Sequence, residues 1–136
     1  MLKAALIGCG KIADAHVQQI LRTRKARIVG VTDREPLMAR QLQDRFPIDA
    51  VYDDLEELLA QQRPDVIHIT TPPASHLVVA KQCLEAGCHV YVEKPFTVNE
   101  EEAVVLLRTA ERVDRLATVG HNVQFARPAI DAIADA

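Results

Sequence analysis

The stretch A-A-L-I-G-C-G-K-I-A, residues 4–13, decides the fold of this chain. Its first four residues form an apolar run of strand length, Gly8 and Gly10 follow as a turn, and an apolar pattern with helical spacing begins at Ile12. The stretch therefore predicts a strand, a tight turn and a helix. Residues 8–13 also fit G-x-G-x-x-G/A. In that pattern one glycine permits the turn, one permits close approach of a pyrophosphate, and the last small residue lets the helix pack.

The size and composition of the chain predict one ordinary globular domain. Its 136 residues suffice for a single core that buries roughly two-thirds of the unfolded surface. Hydrophobic residues make up 49%, charged residues 26%, and the formal net charge is −3, a balance that does not favour nucleic acid as a partner. One basic cluster is best explained as a solvated loop, and it comprises Arg22, Arg24, Lys25 and Arg27.

Neither a membrane segment nor a metal site is expected. No apolar run approaches the ~18 residues that span a bilayer, and the start lacks the layout of a signal peptide, so we expect a cytoplasmic protein without membrane partners. Cys9, Cys83 and Cys88 are odd in number and lack a C-x-x-C spacing. This argues against a disulfide framework or a zinc site and predicts reduced, structural thiols.

Strand and helix patterns alternate along the rest of the chain. The first helix is expected to reach about Arg22, and further strands are expected at 27–32, 50–52, 66–70, 89–92 and 116–119. Helices are expected between them, starting near Pro36, at Asp54 with Glu57, at Pro73 (ending at Ala86 before Gly87) and at Thr97 with Glu100. Continuous apolar strands suit a parallel sheet covered on both faces. The sequence thus predicts a Rossmann-type, doubly wound α/β fold in one three-layer domain.

Asp33 ends the second expected strand, near the position where the glycine fingerprint places an acid. In an open parallel sheet ligands bind outside the carboxyl ends of the strands. A carboxylate there accepts hydrogen bonds from the adenosine ribose hydroxyls and opposes a 2′-phosphate, so NAD is favoured over NADP. The adjacent Arg34 leaves NADP open, because a guanidinium can hold that phosphate. A solvated loop charge is the other interpretation of Arg34.

Lys94 is the residue for which the sequence predicts a chemical step. It follows a buried strand, and Pro95 holds its backbone extended, which directs the ammonium into the crevice where a nicotinamide would lie. Beside a carbonyl undergoing reduction, an ammonium stabilises the developing alkoxide and donates a proton, and the neutral amine accepts one in reverse. Glu93 either orients Lys94 or contacts the cofactor. The alternative is a simple salt bridge between the two at a strand end.

The histidines carry weaker signals. Ser75 and His76 fall in the first turn of a helix, where backbone donors favour anions, although His76 is equally explained as a capping or surface residue. His121 is a minor candidate. The sequence assigns no function to His16, His68 and His89.

Five motifs, each expected at a strand end, make the chain resemble the N-terminal domain of the glucose-fructose oxidoreductase and inositol dehydrogenase family (Gfo/Idh/MocA). They are A-L-I-G-C-G-K-I-A at 5–13, V-T-D at 31–33, T-T-P-P-A-S-H at 70–76, V-E-K-P at 92–95 and V-G-H-N-V-Q-F at 119–125. The resemblance covers essentially the whole chain. It implies NAD(P)-dependent hydride transfer at a secondary alcohol of a sugar, cyclitol or related polyol, with Lys94 matching the lysine of the family's E-K-P motif.

The resemblance also implies that Thr71, Pro72 and His76 approach the cofactor, that Glu93 lies near the nicotinamide ribose, and that the Lys94–Pro95 bond is cis. With the arguments above, the expected cofactor-binding residues are Gly8, Cys9, Gly10, Lys11, Ile12, Asp33, Arg34, Thr70, Thr71, Pro72, Pro73, His76, Glu93, Lys94, Pro95 and Asn122.

The resemblance further implies a division of the active site. We expect residues 1–120 to be the NAD(P)-binding domain and residues 121–136 to begin a connection to a second α/β substrate domain that the chain does not contain. Gln124 stands where family members often carry arginine, which removes one expected substrate contact. The chain alone is expected to bind a dinucleotide better than it catalyses. The oligomeric state stays open.

Two alternatives compete with this interpretation. A non-catalytic dinucleotide sensor or interaction domain would keep the fold without the chemistry. An S-adenosylmethionine methyltransferase shares the glycine turn and the acid after the second strand, but it commonly places an acid two residues before the first glycine, where this chain has Leu6, and it has no role for E-K-P.

Overall fold

A computed structural model describes residues 1–120 of the chain, and within them six strands form one parallel sheet. The strands are β1 (Leu2–Ile7), β2 (Ala26–Thr32), β3 (Val51–Tyr52), β4 (Val66–Ile69), β5 (His89–Glu93) and β6 (Ala117–Gly120). Their order is β3-β2-β1-β4-β5-β6, and every pairing is parallel. The strand order reverses between β1 and β4, so the doubly wound α/β fold is confirmed.

Five helices cover the two faces of the sheet. They are α1 (Lys11–Thr23), α2 (Pro36–Arg45), α3 (Leu55–Gln62), α4 (His76–Glu85) and α5 (Glu100–Val113). Side chains alternate along β1, so that Ala4 and Leu6 pack in a cluster with α1 and α2, while Ala5 and Ile7 pack in a second cluster with α3, α4 and α5. The three-layer prediction is therefore confirmed.

The helix caps agree with the sequence at α3 and differ at α5. Asp54 Oδ1 accepts the backbone N–H of Glu57 at 2.7 Å, as expected. The predicted Thr97–Glu100 cap is wrong, because the side chain of Asn99 accepts the N–H of Glu102 at 2.9 Å. Thr97 instead donates its hydroxyl to the Asn99 carbonyl at 2.6 Å. The extended backbone of Asn99 places its short side-chain carbonyl over the first turn, which satisfies an otherwise unpaired N–H.

The helix expected from Pro73 to Ala86 has an irregular start. Pro73–Ser75 form a 3-10 turn, and α4 begins only at His76. The N–H and the hydroxyl of Ser75 both donate to the carbonyl of Pro72, at 3.0 and 2.8 Å, which tightens this segment. At the other end, α4 stops at Glu85, Ala86 is its C-cap, and Gly87 follows with a φ of 94°, the left-handed conformation that glycine favours.

Hydrogen bonds join the loops that follow the central strands. Gly8 donates its N–H to Thr32 O at 2.9 Å, and Thr70 donates its N–H to Ile7 O at 2.9 Å. The ends of β1, β2 and β4 therefore meet at one edge of the sheet. None of the helices within residues 1–120 is long and apolar enough to cross a membrane. The expectations for residues 121–136, including His121, Asn122 and Gln124, lie outside the described residues.

Candidate nucleotide-binding site

Gly8 makes the turn after β1 and is required there for two reasons. Its φ of 93° lies in the left-handed region, where a side chain is strained. A Cβ at this position would also lie 2.8 Å from Thr70 Oγ1 and 3.0 Å from Thr71 N. The hydroxyl of Thr70 donates to the carbonyl of Gly8 at 2.7 Å and holds the two loops together.

Gly10 has a different environment. A Cβ at this position would meet no heavy atom within 4 Å, and the φ of −75° is open to any residue. Gly10 is the N-cap of α1, and no side chain caps this helix. The start of α1, with its positive dipole end and no side-chain cap, therefore adjoins open space at Gly10, which suits an anion such as a pyrophosphate.

Asp33 is held by the backbone of two loops. Its Oδ2 accepts the N–H of Cys9 at 2.6 Å and its Oδ1 accepts the N–H of Glu35 at 2.8 Å. Each carboxylate oxygen has a further lone pair for a hydroxyl donor. Cys9 takes part through its backbone only, since its buried thiol points to the carbonyl of Thr32 at 3.5 Å. Burial and the neighbouring Asp33 raise the pKa of that thiol to about 12, which keeps it neutral.

A cavity of about 220 Å³ brings seven of the predicted residues together with Ile7, and they are Gly8, Gly10, Asp33, Arg34, Thr70, Thr71 and Pro72. A neighbouring cavity of about 340 Å³ shares Arg34, Thr71 and Pro72 and extends along the start of α4 to Val79. A larger hollow of about 580 Å³ between α4 and α5 contains none of the predicted residues. The cavity at the carboxyl edge of the sheet thus brings together seven of the sixteen predicted residues, and the other predicted residues within 1–120 do not line it.

His76 connects two loops of this edge from inside the protein. Its side chain is fully buried, Nε2 lies 2.7 Å from Thr71 O, and Nδ1 lies 2.9 Å from Pro95 O and 3.1 Å from Phe96 O. Because every neighbour is a carbonyl, the ring donates to one loop in either neutral tautomer and to both when it carries two protons. His76 therefore fixes the loop after β4 against the loop after β5.

Glu93 and Lys94 diverge at the end of β5. Glu93 Oε2 accepts a hydrogen bond from Nε2 of His16 at 2.7 Å, so the carboxylate is engaged on the α1 side of the sheet. Lys94 is exposed at the sheet edge, and the Lys94–Pro95 peptide is cis. Among the described residues, the Glu93 carboxylate is thus paired with His16 of α1 and not with the adjacent Lys94.

The histidine pair behind Glu93 is the part of this edge that the sequence did not predict. Nδ1 of His16 lies 2.9 Å from Nδ1 of His68, and both rings are fully buried. Burial lowers the pKa of both rings, although Glu93 partly offsets the effect at His16. The available signal was the spacing of His16 from Ala13 and Ile20, which places it on the buried stripe of α1.

The remaining predicted residues lie around this edge. Lys11 and Ile12 occupy the exposed first turn of α1, Pro73 is partly buried in the 3-10 turn, and Pro95 is exposed beside Lys94. No group of three or more His, Cys, Asp or Glu side chains within residues 1–120 could hold a metal ion.

A family model described as "Oxidoreductase family, NAD-binding Rossmann fold" (GFO_IDH_MocA) matches residues 2–121. The chain belongs to this family. Membership fits the geometry described above, because the glycine turn, the uncapped helix and the anchored acid are the parts that a Rossmann fold uses to hold a dinucleotide.

Two curated relatives and a solved structure are similar to this chain over most of its length. A 1-carboxy-3-chloro-3,4-dihydroxycyclohexa-1,5-diene dehydrogenase of Comamonas testosteroni is 34% identical over 93% of this chain and 32% of its own length. The D-glucoside 3-dehydrogenase of Escherichia coli K12 is 30% identical over 92% of this chain and 36% of its own. An Agrobacterium radiobacter oxidoreductase, solved with NAD+, L-tartaric acid and magnesium, has a TM-score of 0.83 at 30% identity, covering 87% of this chain and 34% of its own. The chain therefore spans about a third of the length of these relatives.

Proposed function

We propose that this chain is the nucleotide-binding part of an NAD-dependent oxidoreductase that acts on a secondary alcohol of a sugar, cyclitol or similar polyol. One observation carries the cofactor assignment: the unobstructed Gly10, the uncapped start of α1 and the backbone-anchored Asp33 share one edge of the sheet. NAD, when bound, supplies the acceptor for a hydride. Similarity to the D-glucoside 3-dehydrogenase of E. coli supports a secondary alcohol as the substrate class.

Different groups at this edge of the sheet bind different parts of the dinucleotide. The N–H groups at the start of α1 hold the pyrophosphate, and the free lone pairs of Asp33 accept the hydroxyls of the adenosine ribose. The charge of Asp33 disfavours a 2′-phosphate, which is why we propose NAD rather than NADP. Arg34 lines the same cavity and provides the route by which NADP would still bind.

Lys94 is the proposed acid and base. Its exposed side chain follows β5 at the carboxyl edge of the sheet, and in this proposal it takes the hydroxyl proton as the alcohol becomes a carbonyl. In the reverse direction its ammonium returns that proton and stabilises the alkoxide oxygen.

The division of labour along the chain is part of the proposal. Residues 1–120 hold the nucleotide, and residues 121–136 lead toward a substrate domain of the kind that the greater length of the relatives accommodates. The 136 residues alone then bind the nucleotide and turn over a polyol slowly or not at all.

Substitution of Lys94 tests the chemical role. In the longest in-frame product of the gene, Lys94→Ala lowers kcat for NAD-dependent oxidation of polyols by at least about 100-fold and changes the Kd for NADH by less than about threefold. Lys81→Ala, at an exposed lysine of α4, serves as the matched control and leaves both quantities unchanged. A Lys94→Ala variant with wild-type kcat contradicts the assignment.

A non-catalytic dinucleotide sensor is the second candidate. It is favoured by the cavity itself, because the lining residues within 1–120 account for nucleotide binding and do not include Lys94. NADH binding without turnover of any secondary alcohol by the longest in-frame product supports the sensor, and NAD reduction by a polyol excludes it. The methyltransferase alternative is excluded by the family match.

A further inference from the structure

A polar strip lies on the α1 side of the sheet, made of His16, His68, Tyr91 and Glu93. His68 and Tyr91 are paired residues on β4 and β5, and their rings stack with centroids 4.8 Å apart. His16 reaches this pair from α1 with its centroid 5.1 Å from that of His68, and its other nitrogen bonds to Glu93. The strip therefore connects the buried middle of the sheet to the strand end that carries Lys94.

The hydrogen bonds of the polar strip allow one consistent arrangement of protons. An ionised Glu93 only accepts, so Nε2 of His16 carries the proton between them. Nδ1 of a neutral His16 is then an acceptor, and Nδ1 of His68 must be the donor across their 2.9 Å contact. This leaves Nε2 of His68 as a bare lone pair, and it is the buried side-chain atom without a partner among the described residues. At this buried nitrogen of His68, a lone pair without a donor carries a smaller free-energy cost than an N–H without an acceptor.

The opposite face of β4 and β5 is packed with apolar side chains only, as is usual for a buried sheet face. Ile67, Ile69, Val90 and Val92 fill it with aliphatic side chains. Buried imidazoles and a carboxylate in place of such residues carry a desolvation cost, and well-packed apolar groups of similar size are often as stable or more so. Stability alone therefore does not account for the polar strip.

We propose that His16 is a positioning residue that holds the Glu93 carboxylate for the nicotinamide half of the bound dinucleotide. This inference rests on the proposed function. His16 uses Oε2 of Glu93, and within residues 1–120 no hydrogen bond engages Oε1, which remains for a ribose hydroxyl or for the ammonium of Lys94. His68 in turn fixes the tautomer of His16, so that the carboxylate is oriented before the nucleotide arrives.

Two nucleotides separate positioning from general structural support, because ADP lacks the nicotinamide half of NADH. In His16→Leu the ring volume is largely kept and the donor to Glu93 is lost, so the affinity for NADH falls about 10-fold while that for ADP stays within about twofold. His16→Gln presents an amide N–H where Nε2 stood, and we expect it to retain NADH affinity within about threefold. Thermal unfolding of both variants serves as the folding control.

The possible results distinguish failure of the His16 positioning role from failure of the proposed nucleotide-binding function. Equal losses of NADH and ADP affinity in His16→Leu, or no loss of either, overturn the positioning role while the nucleotide site stands. A folded wild-type chain that binds neither nucleotide overturns both. Imidazole 15N shifts provide a readout that needs no nucleotide: we expect the proton of His16 on Nε2 and that of His68 on Nδ1 at pH 7, and the opposite tautomers contradict the inference.

Discussion

Gly8 and Gly10 are two residues apart in one turn, but a glycine is needed at each position for a different reason. Gly8 has a positive φ and its Cα approaches the loop after β4, so the protein itself excludes a side chain there. Gly10 has an ordinary φ and open space beside it, so the folded chain tolerates a methyl group. If a pyrophosphate occupies that space, only the ligand makes Gly10 necessary.

Alanine substitutions separate these two requirements. Gly8→Ala lowers the free energy of unfolding by about 1–3 kcal/mol, through the strained φ and the contact with Thr70. Gly10→Ala changes stability by less than about 0.5 kcal/mol but weakens NADH binding at least about 10-fold. Urea unfolding and NADH titration of the same preparations measure both effects. A Gly10→Ala protein that binds NADH as well as the wild type places the pyrophosphate elsewhere.

Asp33 is expected to set the cofactor preference. In Asp33→Ala, the ribose hydroxyls lose a charged acceptor and a 2′-phosphate no longer meets a carboxylate, so NADH binds about 10-fold more weakly and the discrimination against NADPH narrows. Asp14→Ala is the matched control, because this acid of the first turn of α1 pairs with Arg45 at 2.7 Å instead of lining the cavity. Competitive titration with NADH and NADPH measures the ratio of the two affinities in each variant. An unchanged NADH to NADPH ratio removes Asp33 from this role.

The predicted residues that line the cavity are those whose position depends on nearby residues in the chain. A glycine in a tight turn or an acid directly after a strand is defined by a few neighbours in the chain, and the fold then brings them to one edge. His16 and His68 were missed because their partners are distant: His16 bonds to a residue 52 positions away and to another 77 positions away. Such a pairing depends on how α1 packs against β4 and β5, which periodicity alone does not specify.

At the scale of elements, the two loops after β4 and β5 are coupled by a single buried ring. His76 Nε2 lies 2.7 Å from Thr71 O and Nδ1 lies 2.9 Å from Pro95 O. Thr71 lines the cavity and Pro95 adjoins Lys94, so the ring sets the separation of two walls of the proposed site without entering it.

Removal of this connection is expected to affect both stability and binding. His76→Ala removes the hydrogen bond to one loop and the ring contact with the other, so it lowers the free energy of unfolding by about 1–3 kcal/mol and weakens NADH binding. Ser75→Ala, at the preceding position in the 3-10 turn, is the comparison and costs less than about 1 kcal/mol, because Ser75 is partly exposed. Chemical denaturation with NADH titration tests both. Equal stability of the two variants argues against a coupling role for His76.

The order and type of the elements followed from the alternation of apolar runs, whereas their ends did not. The N-cap of α5 is Asn99 instead of Thr97, since both residues suit an N-cap and only the backbone conformation selects one. The first turn of the α4 segment became a 3-10 turn, because Pro72 and Pro73 together restrict the chain before the helix. The ends of these helices therefore depend on the backbone conformation of the folded protein, which apolar periodicity does not specify.

At the scale of the whole molecule, the buried histidines link stability to pH. Unfolded histidines bind a proton near pH 6.5, but burial lowers the pKa of His16 and His68 in the folded protein. Below about pH 6.5 the unfolded state therefore takes up more protons, and the free energy of unfolding falls as the pH falls, by up to about 1.4 kcal/mol per pH unit for each histidine. Above that pH this contribution is constant.

Urea unfolding between pH 7 and pH 5 measures this dependence. His68→Leu removes one of the two groups, so its stability should fall less steeply with decreasing pH than that of the wild type. The carboxylates titrate in both proteins, and the difference between the two curves isolates the histidine. Parallel curves contradict the assignment of neutral, buried rings to the polar strip.

The central claim, that this chain is a nucleotide-binding domain, is tested most directly by calorimetric titration of the folded chain with NADH. The Gly8 turn, the open Gly10 and the anchored Asp33 belong to one cavity at the edge of one sheet, where we propose that the adenosine and the pyrophosphate bind. We predict saturable binding of one NADH per chain below millimolar concentration. A chain shown to be folded by circular dichroism that binds no NADH at millimolar concentration contradicts the account.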